Sequence, residues 1–139
     1  MAKFIGRDVS VTVNAVDLSE WVKSATVSES WDDVDVTGMG ANAKEHLLGI
    51  GDAYIEVEFF QDFAAAAVNA TLKTIKGSNT PVEVIVKPTS DAVSVTNPSY
   101  TMQAVLPEYN AIDASVGDAS TTKVKFLNAD QSGIVEATT

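Results

Sequence analysis

Residues 30–51 read SWDDVDVTGMGANAKEHLLGIG, and how this stretch is read decides the architecture. It packs Asp32, Asp33 and Asp35 close together, carries four glycines, and scatters Met39, Leu47, Leu48 and Ile50 among polar residues. As an irregular loop it is far longer than the roughly 4–6 residues typical of a connection in a compact domain. Above about 12–15 residues such a run needs a functional reason. The expectation is an inter-subunit arm over about 30–51, with at most one helical turn at 44–48. Its apolar residues must pack on their own sheet or on a neighbour. Trp31, at the mouth of the arm, reads either as a local anchor or as an intersubunit contact. The glycines supply flexibility where the arm bends.

The flanks alternate like strands. Upstream, Val9, Val11, Val13 and Ala15 alternate with polar residues, and Trp21, Val22, Ala25 and Val27 feed a second strand over 22–29. Trp21 reads as core. Downstream, Ile55, Val57 and Phe59 share one face of a strand over 54–60, and Glu56 and Glu58 share the other. A helix is expected over 63–76. Asp62 is its N-cap, Ala64, Val68, Leu72 and Ile75 form its packing stripe, and Gly77 closes it. Further strands are expected at 82–86, 100–106, 109–116, 121–127 and 133–137, with a polar loop at 89–98.

The pattern predicts a single domain over 1–139 that is mainly β with one flanking α-helix. An antiparallel sandwich is the expected form, and a closed small barrel is the alternative.

Composition narrows function. The chain of 139 residues has no cysteine, which removes disulfides and thiolate metal sites. No apolar run has the length of a signal-peptide core or a membrane span. Net charge is -10, from 9 basic and 19 acidic residues, and Arg7 is the only arginine. Ordinary nucleic-acid binding, which neutralises many phosphates, is a poor match. The surplus acid serves solubility or repels a polyanion. Asp32, Asp33 and Asp35 lack the ligand spacing of a calcium loop, so they read as turn formers or as partners for a neighbour's basic groups. His46 stands alone, so a metal centre would have to be all-oxygen, and a catalytic triad has little support. Gly38-Met39-Gly40 lacks the ending of a phosphate loop. Neither catalytic residues nor a cofactor is expected.

Three blocks carry a resemblance: DLSEWVKSATVSESWDDVDVTGMG at 17–40, YIEVEFFQDFAAAAVNATLKTI at 54–75, and the run from Val82 to Phe126. In order and spacing the chain resembles the major tail tube proteins of long-tailed bacteriophages, particularly actinobacteriophages. That resemblance implies a β-sandwich-like core, homohexameric rings that stack into a tube, and a long loop reaching the next ring. It implies a virion tail protein assembled in the host cytoplasm. Its partners are other tail proteins such as the tape measure and the tail terminator, and no membrane is involved. Double-stranded DNA passes through an acidic lumen without specific binding; the face with Glu56 and Glu58 reads either as that wall or as an ordinary solvated sheet face. Lys123 and Lys125 oppose a uniformly negative wall unless they pair with these acids. A capsid decoration or head–tail joining protein is the alternative within virions. A carbohydrate-binding β-sandwich is the alternative from another class.

Overall fold

The computed structural model describes residues 5–139. Alternation becomes strand wherever one face can be buried. The strands are β1 (Ser10–Val13), β2 (Val16–Asp17), β3 (Val22–Asp35), β4 (His46–Phe60), β5 (Val82–Lys87), β6 (Ser99–Val105), β7 (Thr121–Asn128) and β8 (Val135–Ala137). All pair antiparallel in the order β2-β1-β5-β6-β7-β4-β3, with β8 added to β6. A single short helix, α1 (Val68–Leu72), follows β4.

One edge of β6 has two partners. Ser99, Tyr100 and Thr101 pair with β8, whereas only Ala104 and Val105 pair with β7. This short junction is a corner. On one side of it, Val11, Val13, Val84, Val86, Met102 and Ala104 point inward; on the other, Ile55, Val57, Phe59, Val124 and Phe126 do. The two inward faces form one core with Val68, Leu72 and Ile75 from the helical segment. Register keeps each face consistent: Ile55 lies opposite Phe126 and Val57 opposite Val124. A one-residue slip would send both rows to solvent. The path ends at β2 and β3, and among the described residues no pairing closes the sheet into a barrel.

Four local expectations are corrected. The first strand stops at Val13, because Asn14 and Ala15 have positive φ (49° and 67°). This two-residue turn leads into β2, with Val13 paired to Val16; its twist matches that of paired strands. The helix is far shorter than 63–76. Ala66 has φ 60°, which breaks a right-handed helix, and Ala64 and Phe63 are exposed. Asp62 therefore caps no α-helix: its Oδ1 accepts from the Ala64 amide at 2.8 Å, and its Oδ2 accepts from the half-buried indole of Trp21 at 2.9 Å. Of the packing stripe, Val68, Leu72 and Ile75 are buried and Ala64 is not.

Residues 109–116 form no strand. Side chains hold this segment instead: the Tyr109 hydroxyl donates to Asn69 Oδ1 at 2.8 Å, and Gln61 Nε2 donates to the Ala111 carbonyl at 2.7 Å. Finally, residues 30–51 are mostly strand rather than irregular loop, and 44–48 contains no helical turn.

Candidate assembly surface

β3 and β4 continue pairing well beyond the body. Ser30 pairs with Asp52, Trp31 with Gly51, Asp33 with Leu48, Val34 with Leu47 and Asp35 with His46. Every residue from 29 to 52 is exposed, so the arm is a two-stranded ribbon that buries none of its side chains against the other described residues. Isolated two-stranded hairpins are marginal in water. Three devices hold this one together.

At the tip, Asp35 Oδ1 accepts from the Thr37 amide (2.9 Å) and hydroxyl (2.6 Å), and the Thr37 hydroxyl accepts from the Glu45 amide at 2.8 Å. These bonds to Thr37 hold the Asp35 carboxyl below its usual range. In mid-ribbon, His46 Nδ1 lies 2.7 Å from Asp33 Oδ1. At the root, the Trp31 indole occupies the space a side chain on Gly51 would need: a Cβ there would sit 2.7 Å from Trp31 Nε1.

The ribbon presents Trp31, Val34, Val36, Met39, Leu47, Leu48 and Ile50 to solvent. Asp32, Asp33 and Asp35 share it, so all the arm residues singled out from sequence sit on one projecting element. What sequence reading missed is the edge. β3 ends the sheet, and among the described residues no strand lies on its far side from Val22 to Asp35. Long unpaired edges template pairing with another chain unless they are blunted. The alternation of Ser24, Thr26 and Ser28 with Ala25 and Val27 marks a strand but not its place at the edge. A register shift at Lys23 breaks that alternation after Val22.

At the ribbon root a groove of about 280 Å³ is lined by Glu29, Trp31, Asp52, Asn128, Gln131 and Ile134, among others. Trp31 is 54% exposed there. Nearby, Tyr100 lies opposite Glu136, whose carboxylate raises the phenol's pKa; Glu29 adds to the same effect.

The solvent face of β4 and β7 carries Glu56 and Glu58 beside lysines. Lys123 Nζ is 2.9 Å from Glu56 Oε1, Lys23 Nζ is 3.6 Å from Glu58 Oε1, and Lys125 Nζ sits 4.2 Å from the Tyr54 ring centre. Glu56 raises the pKa of Lys123 by accepting its hydrogen bond. The face is a lattice of alternating charge rather than an acidic wall. Among the described residues no cluster of three or more histidine or carboxylate side chains could hold a metal ion. No helix there is long and apolar enough to cross a membrane.

No protein-family model and no curated protein matches the sequence. Solved structures do match along nearly its whole length. A chain of the SPP1 tail tube aligns with TM-score 0.73 and 10% identity over 99% of this chain and 80% of that one. A chain in the virion of a native gene transfer agent aligns with TM-score 0.72 and 12% identity over 97% and 99%. A chain from the sheath/tube terminator of the extracellular contractile injection system PVC aligns with TM-score 0.71 and 11% identity over 99% and 98%. The chain shares the fold of these components of tails and injection systems.

Proposed function

We propose that this chain is a structural subunit of a tail tube in a virion. Six copies form a ring, rings stack, and DNA passes through the bore during ejection. One observation carries the reading: an apolar, acidic ribbon stands clear of its own body, and an unpaired strand edge runs its full length. Neither feature suits an isolated subunit. Exposed apolar area of this kind marks an interaction surface, and pairing the β3 edge with a neighbour removes an aggregation site. The ribbon, with Trp31, Met39, Leu47, Leu48 and Ile50, reaches the next ring. The same fold in the SPP1 tail tube supports the assignment.

The work is assembly and passive conduction, so no residue needs a reactive role. Tape measure and tail terminator proteins are the expected partners at the bore and the tube end. The Glu56/Glu58 face is the proposed wall, with its acids balanced by Lys23 and Lys123. Negative-stain microscopy of concentrated protein tests the proposal. Long tubes of constant bore support it; a dispersed monomer at all concentrations overturns it.

A second reading has a specific observation behind it. Matches include the PVC sheath/tube terminator and the tube-terminating cap of the anti-feeding prophage, each with TM-score 0.71. A subunit that closes a tube end would give single rings in the same images.

A further inference from the structure

We propose that the ribbon tip of one copy, through Met39 and Lys44, docks in a cleft beside Phe60 at the opposite end of a second copy. This rests on the tube reading and adds the receiving surface to it. The tip holds both side chains out on an ordered turn. The Ala41 amide donates to the Gly38 carbonyl at 3.4 Å, and Gly40 has φ 81°, so the chain reverses with Met39 at the corner. The Thr37 hydroxyl ties Asp35 of β3 to the Glu45 amide that leads into β4. Met39 is fully exposed, and Lys44 is exposed and forms no ion pair among the described residues. A tip ordered before it binds loses less freedom on docking.

The cleft has the complementary chemistry. Its volume is about 440 Å³, and its lining includes Lys23, Phe60, Asp113, Asp118 and Ala119. Phe60 is exposed at the end of β4, and an aromatic ring is a favourable neighbour for a methionine sulfur. Ile112 and Val116 are exposed in the same chain segment, which leaves apolar surface beside the carboxylates. Asp113 and Asp118 are exposed and take part in no ion pair among the described residues. Lys23 adds one positive charge, but its Nζ already lies 3.6 Å from Glu58 Oε1, so carboxylate is in surplus. An ammonium group entering the cleft gains charge-assisted hydrogen bonds.

Geometry makes the contact intermolecular. Phe60 pairs with Thr121 at one end of β4, and His46 begins β4 at the other. The strand has 15 residues, a length of about 45 Å at strand rise. The tip lies beyond His46, so it cannot reach its own cleft while β3 and β4 stay paired. A surface at one end that meets a different surface at the other is a head-to-tail contact. Such contacts propagate when they do not close into a ring, which is the geometry stacking needs.

The chain has no cysteine, so an introduced pair reports the contact directly. The double variant Met39→Cys/Ala119→Cys is assembled, oxidised, and run on a denaturing gel without reductant. Docking gives a ladder of dimers and higher multimers, because each copy both donates a tip and receives one. Met39→Cys/Val95→Cys, whose second cysteine does not line the cleft, stays monomeric. Monomer alone from the first variant overturns the proposal. So does a ladder from Met39→Cys/Gln131→Cys in its place, which would seat the tip in the groove at another copy's ribbon root. Charge exchange gives a second measurement: Lys44→Asp raises the concentration needed for assembly about tenfold, and adding Asp113→Lys and Asp118→Lys restores it. Failure of that rescue also counts against docking. Tubes without a ladder overturn only this contact, whereas no tubes and no ladder overturn the tube reading with it.

Discussion

At Thr122 a hydroxyl is buried on the core face of β7 between Phe59 and its neighbours, and among the described residues Oγ1 has no hydrogen-bond partner. A buried unsatisfied polar group costs about 1–3 kcal/mol. Thr122→Val keeps the shape and removes that cost, so it should stabilise the subunit by about 1 kcal/mol in chemical denaturation. A loss of stability would show that the hydroxyl has a partner after all. Asp35 gives a pH prediction. Its folded pKa is lowered by the two Thr37 hydrogen bonds. A depressed carboxyl stabilises the tip above its unfolded pKa, near 3.8, and that contribution is lost as pH falls through the folded value. Hydrogen exchange at the Thr37 and Glu45 amides should therefore lose protection selectively below about pH 4. Uniform protection down to global acid unfolding would remove Asp35 from that role. Both residues were visible in the sequence, but their partners were not: Thr37 reaches Glu45 only because the ribbon folds back.

Among the elements, α1 and the ribbon make opposite demands on the body. Leu72 is fully buried in the core that the strands and the helical segment share. Leu72→Ala should cost about 2–5 kcal/mol, read as a shifted denaturation midpoint in the unassembled subunit. A cost below about 1 kcal/mol would place the helical segment outside the core. The ribbon should behave differently. Replacing residues 32–50 with Asn-Gly joins the paired residues Trp31 and Gly51 through a turn suited to a two-residue hairpin. The product should keep its far-UV circular dichroism minimum and its stability, and should form no tubes in the microscope. Loss of the β signal would mean that the ribbon belongs to the folding unit. The four alanines at 64–67 favour a helix on propensity alone. The positive φ at Ala66 shows tertiary structure overriding that preference, since Asp62 and Trp21 fix the chain entry at a different angle.

For the whole molecule, the surplus acid is not concentrated on the Glu56/Glu58 face, because Lys23 and Lys123 lie within ion-pair distance of it. Exposed pairs of this kind are screened by solvent and salt, so they matter for the field rather than for stability. Repeated six times per ring in the proposed tube, the lattice presents alternating signs to a duplex. Replacing both Glu56 and Glu58 with lysine turns it uniformly positive. Assembly should survive, and DNA should be retained in the tube at low salt and released as salt rises. The readout is DNA ejection from phage carrying the double substitution. Normal ejection at low salt would mean that another face forms the wall.

The sequence by itself determined the class of the fold and much of its interior. Alternation at 54–60, 82–86 and 121–127 marks strands whose inward residues form the core, because burial on one face leaves a period of two in the residues themselves. It also determined the chemistry on offer, since the residue types are fixed before any folding. Tertiary structure decided the rest. Residues 30–51 look irregular because neither face of the ribbon is buried within this chain, so no alternation was imposed on them. Pairing made them strands: their hydrogen bonds run across the hairpin, between residues up to 22 positions apart. Residues 109–116 show the converse. They have apolar residues in a strand-like spacing, but Tyr109 is drawn to Asn69 and Gln61, and the segment is held by side chains instead of a ladder. The open β3 edge was equally hidden, because an edge is a property of which strands are neighbours, and no local stretch of sequence contains that information.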